Sequence, residues 1–143
     1  MSSAHYETDF YQWTQQQAAL LRQGELSALD VENLAEEIDD MGASRERELE
    51  NRLAVLLAHL LKWIVQPERR GNSWRLTILE QRRRLARLLE KNPSLRARLS
   101  TIIPDVYGDA ILIAAREMGK SESEVPGTMP FTVEQALGDY WPD

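Results

Sequence analysis

The run Leu53-Ala54-Val55-Leu56-Leu57-Ala58-His59-Leu60-Leu61-Lys62-Trp63-Ile64-Val65 has no polar face. A helix that is apolar all round is buried at the centre of a bundle or covered by a second chain, because no side of it favours water. The chain has 143 residues, a length that fits one domain. Folding at this size removes roughly two-thirds of the unfolded surface from water, so a core needs no covalent staples. The expectation is an all-α, compact bundle of five to seven helices around an all-apolar central helix at about 44–66. It forms a single domain over 1–143, with a partly irregular tail from about 120.

There is no cysteine. That removes disulfides, thiolate metal sites, thiol nucleophiles and iron–sulfur clusters from consideration. The opening residues Met1 to Glu7 carry neither a basic nor an apolar stretch of the kind a secretory signal needs. The central run is short for a membrane span and is interrupted by His59 and Lys62. A cytoplasmic protein with no membrane partner is expected.

Every periodic segment is helical. Phe10, Trp13, Gln17 and Leu20/Leu21 form one stripe, ended by Gly24. Asp30 has the chemistry of an N-cap, followed by Val31, Leu34, Ala35, Ile38 and Met41 at helical spacing, with Gly42 as a stop. Ser44 then opens the helix that holds the apolar run, and Gln66-Pro67 ends it. Ser73 caps a fourth helix with Trp74, Ile78, Leu85, Leu88 and Leu89 on its stripe. Asn92-Pro93 starts a fifth, Pro104 kinks it or begins a sixth, and Gly119 closes that region. Thr132-Val133-Glu134-Gln135 reads as a capping box before a last short helix.

Charge is segregated. Residues 62–98 hold eleven basic and three acidic side chains, or +8, between flanks of −8 (1–61) and −6 (99–143).

The blocks Asp9-Phe10-Tyr11-Gln12-Trp13, Leu29-Asp30-Val31-Glu32-Asn33-Leu34-Ala35-Glu36-Glu37-Ile38, His59-Leu60-Leu61-Lys62-Trp63, Ser73-Trp74 and Asn92-Pro93-Ser94-Leu95 together resemble one bacterial family. It is known as domain of unknown function twenty-nine. The resemblance runs from Tyr6 to about Trp141 and implies a bacterial, cytoplasmic, helical domain. It implies no catalytic or ligand-binding residue.

Two groups of side chains carry chemistry. The first is a candidate polar core cluster of Glu36, Glu37, Asp40, His59 and Gln81. An imidazole near carboxylates suits acid–base work or a metal. But a two-metal bundle uses Glu-x-x-His pairs, and Leu56 stands where the Glu would be. A structural histidine held by a carboxylate of the acidic segment is the favoured reading, with no metal and no cofactor. The second group is a candidate basic surface on helix 73–91: Arg75, Arg82, Arg84, Arg87 and Lys91. It would track phosphates, or it would pair with the acidic face Glu32, Glu36, Asp39 and Asp40. The chain as a whole is acidic, which favours pairing over nucleic acid.

No nucleophile elbow or phosphate loop is present. A protein–protein interaction module without catalytic activity is therefore expected, joining a protein partner or a second copy. Nucleic-acid binding through helix 73–91 is the alternative, and a carboxylate–histidine metal enzyme the second alternative.

Overall fold

The computed structural model describes residues 2–143, and among them every regular element is helical. Six α-helices run in order: α1 (Ser2–Thr8), α2 (Phe10–Gln23), α3 (Val31–Val65), α4 (Asn72–Lys91), α5 (Leu99–Met118) and α6 (Val133–Leu137). Short 3-10 turns precede α3, α4 and α5, and another, Glu122–Glu124, comes after α5. The all-α expectation is met. The chain separates into two units, one ending at Ser44 and one running from Arg45 to Asp143.

The main correction is to the central helix. The stop at Gly42 and restart at Ser44 do not occur; α3 is one helix of 35 residues. A glycine inside a helix costs about 1 kcal/mol relative to alanine but does not break it. Among the described residues only Gly24 and Gly119 take positive φ, and both end helices through bonds from their own N–H groups. Gly42 stays helical, and the Arg- and Glu-rich turns after it are good helix formers.

In the first unit, Trp13 and Gln17 are the buried side chains of α2. Tyr6 sits edge-on to Trp13 with ring centroids 4.7 Å apart, and Phe10 stacks on Trp13 at 5.6 Å. The Asp30 carboxylate is the polar anchor. Oδ2 accepts from Trp13 Nε1 at 3.0 Å and from Asn33 Nδ2 at 2.8 Å. The Asp30 backbone N–H donates to Gln17 Oε1 at 2.9 Å. The Asp30 carbonyl accepts the first bond of α3 from the Leu34 N–H at 2.9 Å, and its carboxylate also accepts from the Asn33 backbone N–H, so its sequence role as the cap of its helix holds.

In the second unit, Leu49, Leu53, Leu56, Leu57, Leu60 and Leu61 of α3 are fully buried in one core with Ile78 and Leu85 of α4 and Ala110 and Ala114 of α5. The burial is not all round: Asn51 is exposed, and Val55, His59 and Trp63 are half-buried along one side. Helix α4 starts at Asn72 with Gly71 as its cap, two residues before Ser73. Pro104 lies inside a single helix, α5, rather than starting another. The tail from 120 is tied down. Val125, Phe131 and Ala136 are buried, the Tyr107 hydroxyl donates to the Pro126 carbonyl at 2.5 Å, and Thr132 and Gln135 form the capping box.

Candidate functional site

His59 is half-buried, and its Nδ1 lies 2.9 Å from the Val55 carbonyl one turn back in α3. A protonated Nδ1 donates there. Burial pushes its pKa below the ordinary histidine value and Lys62 acts the same way; the Val55 carbonyl and Glu117 oppose them. The imidazole is thus neutral near pH 7 and keeps Nε2 as its acceptor. The expected carboxylate partner is corrected to a backbone carbonyl, because the turn that would have made two helices of 31–65 is absent.

Beside it, sequence reasoning missed Lys62. This side chain is 5% exposed, its ammonium 2.5 Å from Glu117 Oε1 and 5.2 Å from the centre of the Trp74 ring. The signal was present: a lysine inside a segment with no polar face has to find an anion inside the fold. Gln81, the other second-unit member of the expected cluster, accepts from Arg52 at 3.3 Å.

Glu36, Glu37 and Asp40 belong to the first unit. Glu36 and Asp40 are exposed and Glu37 is half-buried. Burial raises the Tyr6 pKa, and the charges of Glu37, Glu36, Asp40 and Asp30 raise it further. Glu37 is itself raised, first by burial and then by its neighbour Asp40. These carboxylates crowd one another at a surface; they are not a polar core. Among the described residues no three His, Asp or Glu side chains come together in a metal-holding group.

The basic set divides. Arg82 is buried: Nε donates to the Ala136 carbonyl at 2.8 Å, and Nη2 to the Tyr140 carbonyl at 2.5 Å. Its guanidinium also lies 5.3 Å from the Trp141 ring. Arg82 is a clasp for the tail and is not part of a basic surface. Arg75 bonds Asn72, and Arg84 pairs with Glu80 of its own helix at 3.4 Å. Arg83, Arg87 and Lys91 are exposed and without a partner among the described residues. A shallow groove between α3 and α4 is lined by Arg45, Arg52, Arg84, Arg87 and Lys91, with Glu48 and Glu90 among them. The ion pairs formed by the described residues are local or internal to the second unit, and none uses Glu36, Glu37, Asp39 or Asp40.

Residues 5–142 match the family model described as Domain of unknown function DUF29. The chain belongs to this family. No curated protein and no solved structure matches it.

The most unusual surface of this DUF29 chain lies in its first unit. Val31, Ile38 and Met41 are 65%, 61% and 62% exposed, with Leu34 half-buried between them. The stripe that the sequence places at helical spacing is largely turned to solvent. Phe10, Tyr11 and Leu21 of α2 and Leu26 of the turn after it are exposed as well. Among the described residues these make seven of ten exposed large apolar side chains; Leu76, Leu79 and Leu112 are the rest. No helix of the described residues is long and apolar enough to cross a membrane.

Proposed function

We propose that this DUF29 protein is a protein-interaction module without catalytic activity, in the bacterial cytoplasm. The observation that carries the reading is the row of exposed Val31, Ile38 and Met41 with half-buried Leu34 between them. Contiguous apolar surface on a folded chain is costly to leave in water, and it marks a place where another surface docks. Its spacing of three, four and three residues is that of a helix–helix seam. The neutral His59 and the Lys62–Glu117 pair sit in a packed helical unit and are accounted for by structural roles.

The test is capture. A tagged full-length chain should retain a protein, or a second copy of itself, in stoichiometric amount, and an Ile38→Asp, Met41→Asp variant should lose it. Equal recovery by both would contradict the reading.

A second reading, nucleic-acid binding, is favoured by one observation: Arg83, Arg87 and Lys91 are exposed and unpaired on α4 among the described residues. It predicts affinity for a generic duplex that falls steeply with salt and with Arg83→Ala, Arg87→Ala. No binding at low salt would remove it.

A further inference from the structure

We propose that the groove between α3 and α4 in the second unit binds a short linear polyphosphate, either free or as the phosphate tail of a nucleotide. The site is separate from the apolar row of the first unit, since the groove lies wholly within residues 45–143.

The groove has a volume of about 650 Å³, and its cations stand on both walls. Arg45 and Arg52 come from α3, and Arg84, Arg87 and Lys91 from α4. Against these five stand two lining carboxylates, Glu48 and Glu90, which leaves +3. Glu48 is shared: it accepts from Arg52 Nε at 2.9 Å and lies 3.5 Å from Arg45 Nη1. The Arg52 bond holds its carboxyl below the ordinary value, although burial opposes it. One ionised carboxylate thus serves two guanidiniums. Arg84 reaches Glu80, which does not line the groove, at 3.4 Å. Arg87 and Lys91 are exposed and have no partner among the described residues.

One donor is fixed in advance. Arg52 is half-buried, with Nε on Glu48 and Nη1 on Gln81 at 3.3 Å, and its Nη2 has no partner among the described residues. A guanidinium held on two sides loses little freedom on meeting an anion, and its planar fork suits phosphate oxygens. The Leu88 carbonyl, in the last turn of α4, already accepts from the Asn92 N–H and from Asn92 Nδ2, both at 2.9 Å. That helix end therefore turns fewer bare carbonyls toward an anion.

The spacing selects the anion. Like charges on facing walls repel, and an anion between them relieves the repulsion. Arg45 and Arg52 are seven residues apart, as are Arg84 and Lys91, about 10 Å of helix rise in each case. The matching ligand carries several charges along that length, which describes linked phosphates; a single phosphate engages one end only. An extended peptide finds helical walls with no strand edge to pair with. A docking helix finds only Leu88, 6% exposed, as a large apolar contact. A duplex is too broad to enter between two neighbouring helices and would rest on the outer face of α4, where Glu80 and Glu90 stand exposed among the arginines.

The experiment is calorimetric titration of the full chain with tripolyphosphate at about 50 mM salt, where exposed charges are only partly screened. One site per chain is expected, with orthophosphate at least about tenfold weaker and affinity falling as salt rises. Arg87→Ala, Lys91→Ala should weaken tripolyphosphate at least about tenfold, whereas Arg83→Ala, on α4 but not lining the groove, should leave it within about twofold. All three positions are exposed, so folding is checked by far-ultraviolet circular dichroism. ATP binding as tightly as tripolyphosphate identifies the nucleotide form, and ATP binding about tenfold more weakly identifies the free chain; either result agrees with the inference. No binding of tripolyphosphate at low salt, or equal weakening by Arg83→Ala and by the groove pair, would overturn it. So would a duplex bound more tightly than tripolyphosphate and weakened alike by all three substitutions, which is the outcome that the nucleic-acid reading predicts.

Discussion

The indole Nε1 of Trp13 donates to Asp30 Oδ2 at 3.0 Å, joining the most buried aromatic ring of the first unit to the residue that starts α3. One carboxylate thus caps a helix, holds an indole and orients the Asn33 side chain. The first unit has little other core, so its order depends on this group.

Asp30→Ala should therefore loosen the first unit while sparing the second. Trp13 should shift to longer-wavelength emission, and amide exchange should rise before residue 44 but not beyond 45. The Asn33 side-chain bond leads in holding the Asp30 pKa below its usual value; burial opposes it, and the bonds from the Trp13 indole and the Asn33 backbone N–H add to it. A depressed carboxyl contributes stability above its unfolded value and loses it as pH falls through the folded one. The emission change in the wild type should begin only below the usual aspartate range. A transition at higher pH would show that Asp30 is not its source.

Arg82→Met should release the tail. Three backbone carbonyls, of Gln135, Ala136 and Tyr140, lose a charged donor. The cost is about 3 kcal/mol, since bonds from a charged group are among the stronger ones and the carbonyls are left poorly solvated. Exchange protection should fall at 131–141 first. An unchanged denaturation midpoint would contradict the clasp.

The Lys62–Glu117 pair should respond asymmetrically. Removing Glu117 leaves a buried ammonium without its anion, a loss of about 2 kcal/mol after allowing for Glu117's partial exposure. Lys62→Met replaces the buried charge with an apolar chain of similar length. It should cost less than about 1 kcal/mol or stabilise. Equal losses in urea denaturation would refute the asymmetry.

His59 should titrate below the ordinary histidine value when observed by nuclear magnetic resonance, because burial disfavours its charged form. With the folded pKa below the unfolded one, its contribution to stability is complete above about pH 6.5 and declines as pH falls toward the folded value. His59→Ala should cost about 1 kcal/mol, one hydrogen bond's worth, and should reduce the acid-side loss. A titration above the ordinary value would point instead to a carboxylate partner.

How far the sequence was legible differs by residue. Gly24, Asp30, Gly119 and Thr132 were readable because each acts on its own few backbone atoms. Gly42 was not: a glycine that ends a helix by taking positive φ and one carried through a helix have the same letter, and the residues on its C-terminal side make the choice. Arg82, Arg83 and Arg84 are adjacent and chemically alike. Only the packing of the tail, more than fifty residues later, makes the first a buried clasp and leaves the second exposed. Val31, Leu34, Ile38 and Met41 were correctly placed on one face. Periodicity says which side chains share a face and is silent on what lies opposite it.

That stripe offers the most direct test of the docking role. Urea denaturation of Ile38→Asp, at a concentration where the wild type is monomeric, distinguishes an apolar residue that serves docking from one that serves folding. Ile38 is 61% exposed. A docking residue predicts a stability within about 0.5 kcal/mol of wild type, as for surface positions generally, together with loss of the bound protein. A destabilisation of about 2 kcal/mol or more would contradict it, because Ile38 would then belong to the protein's own core.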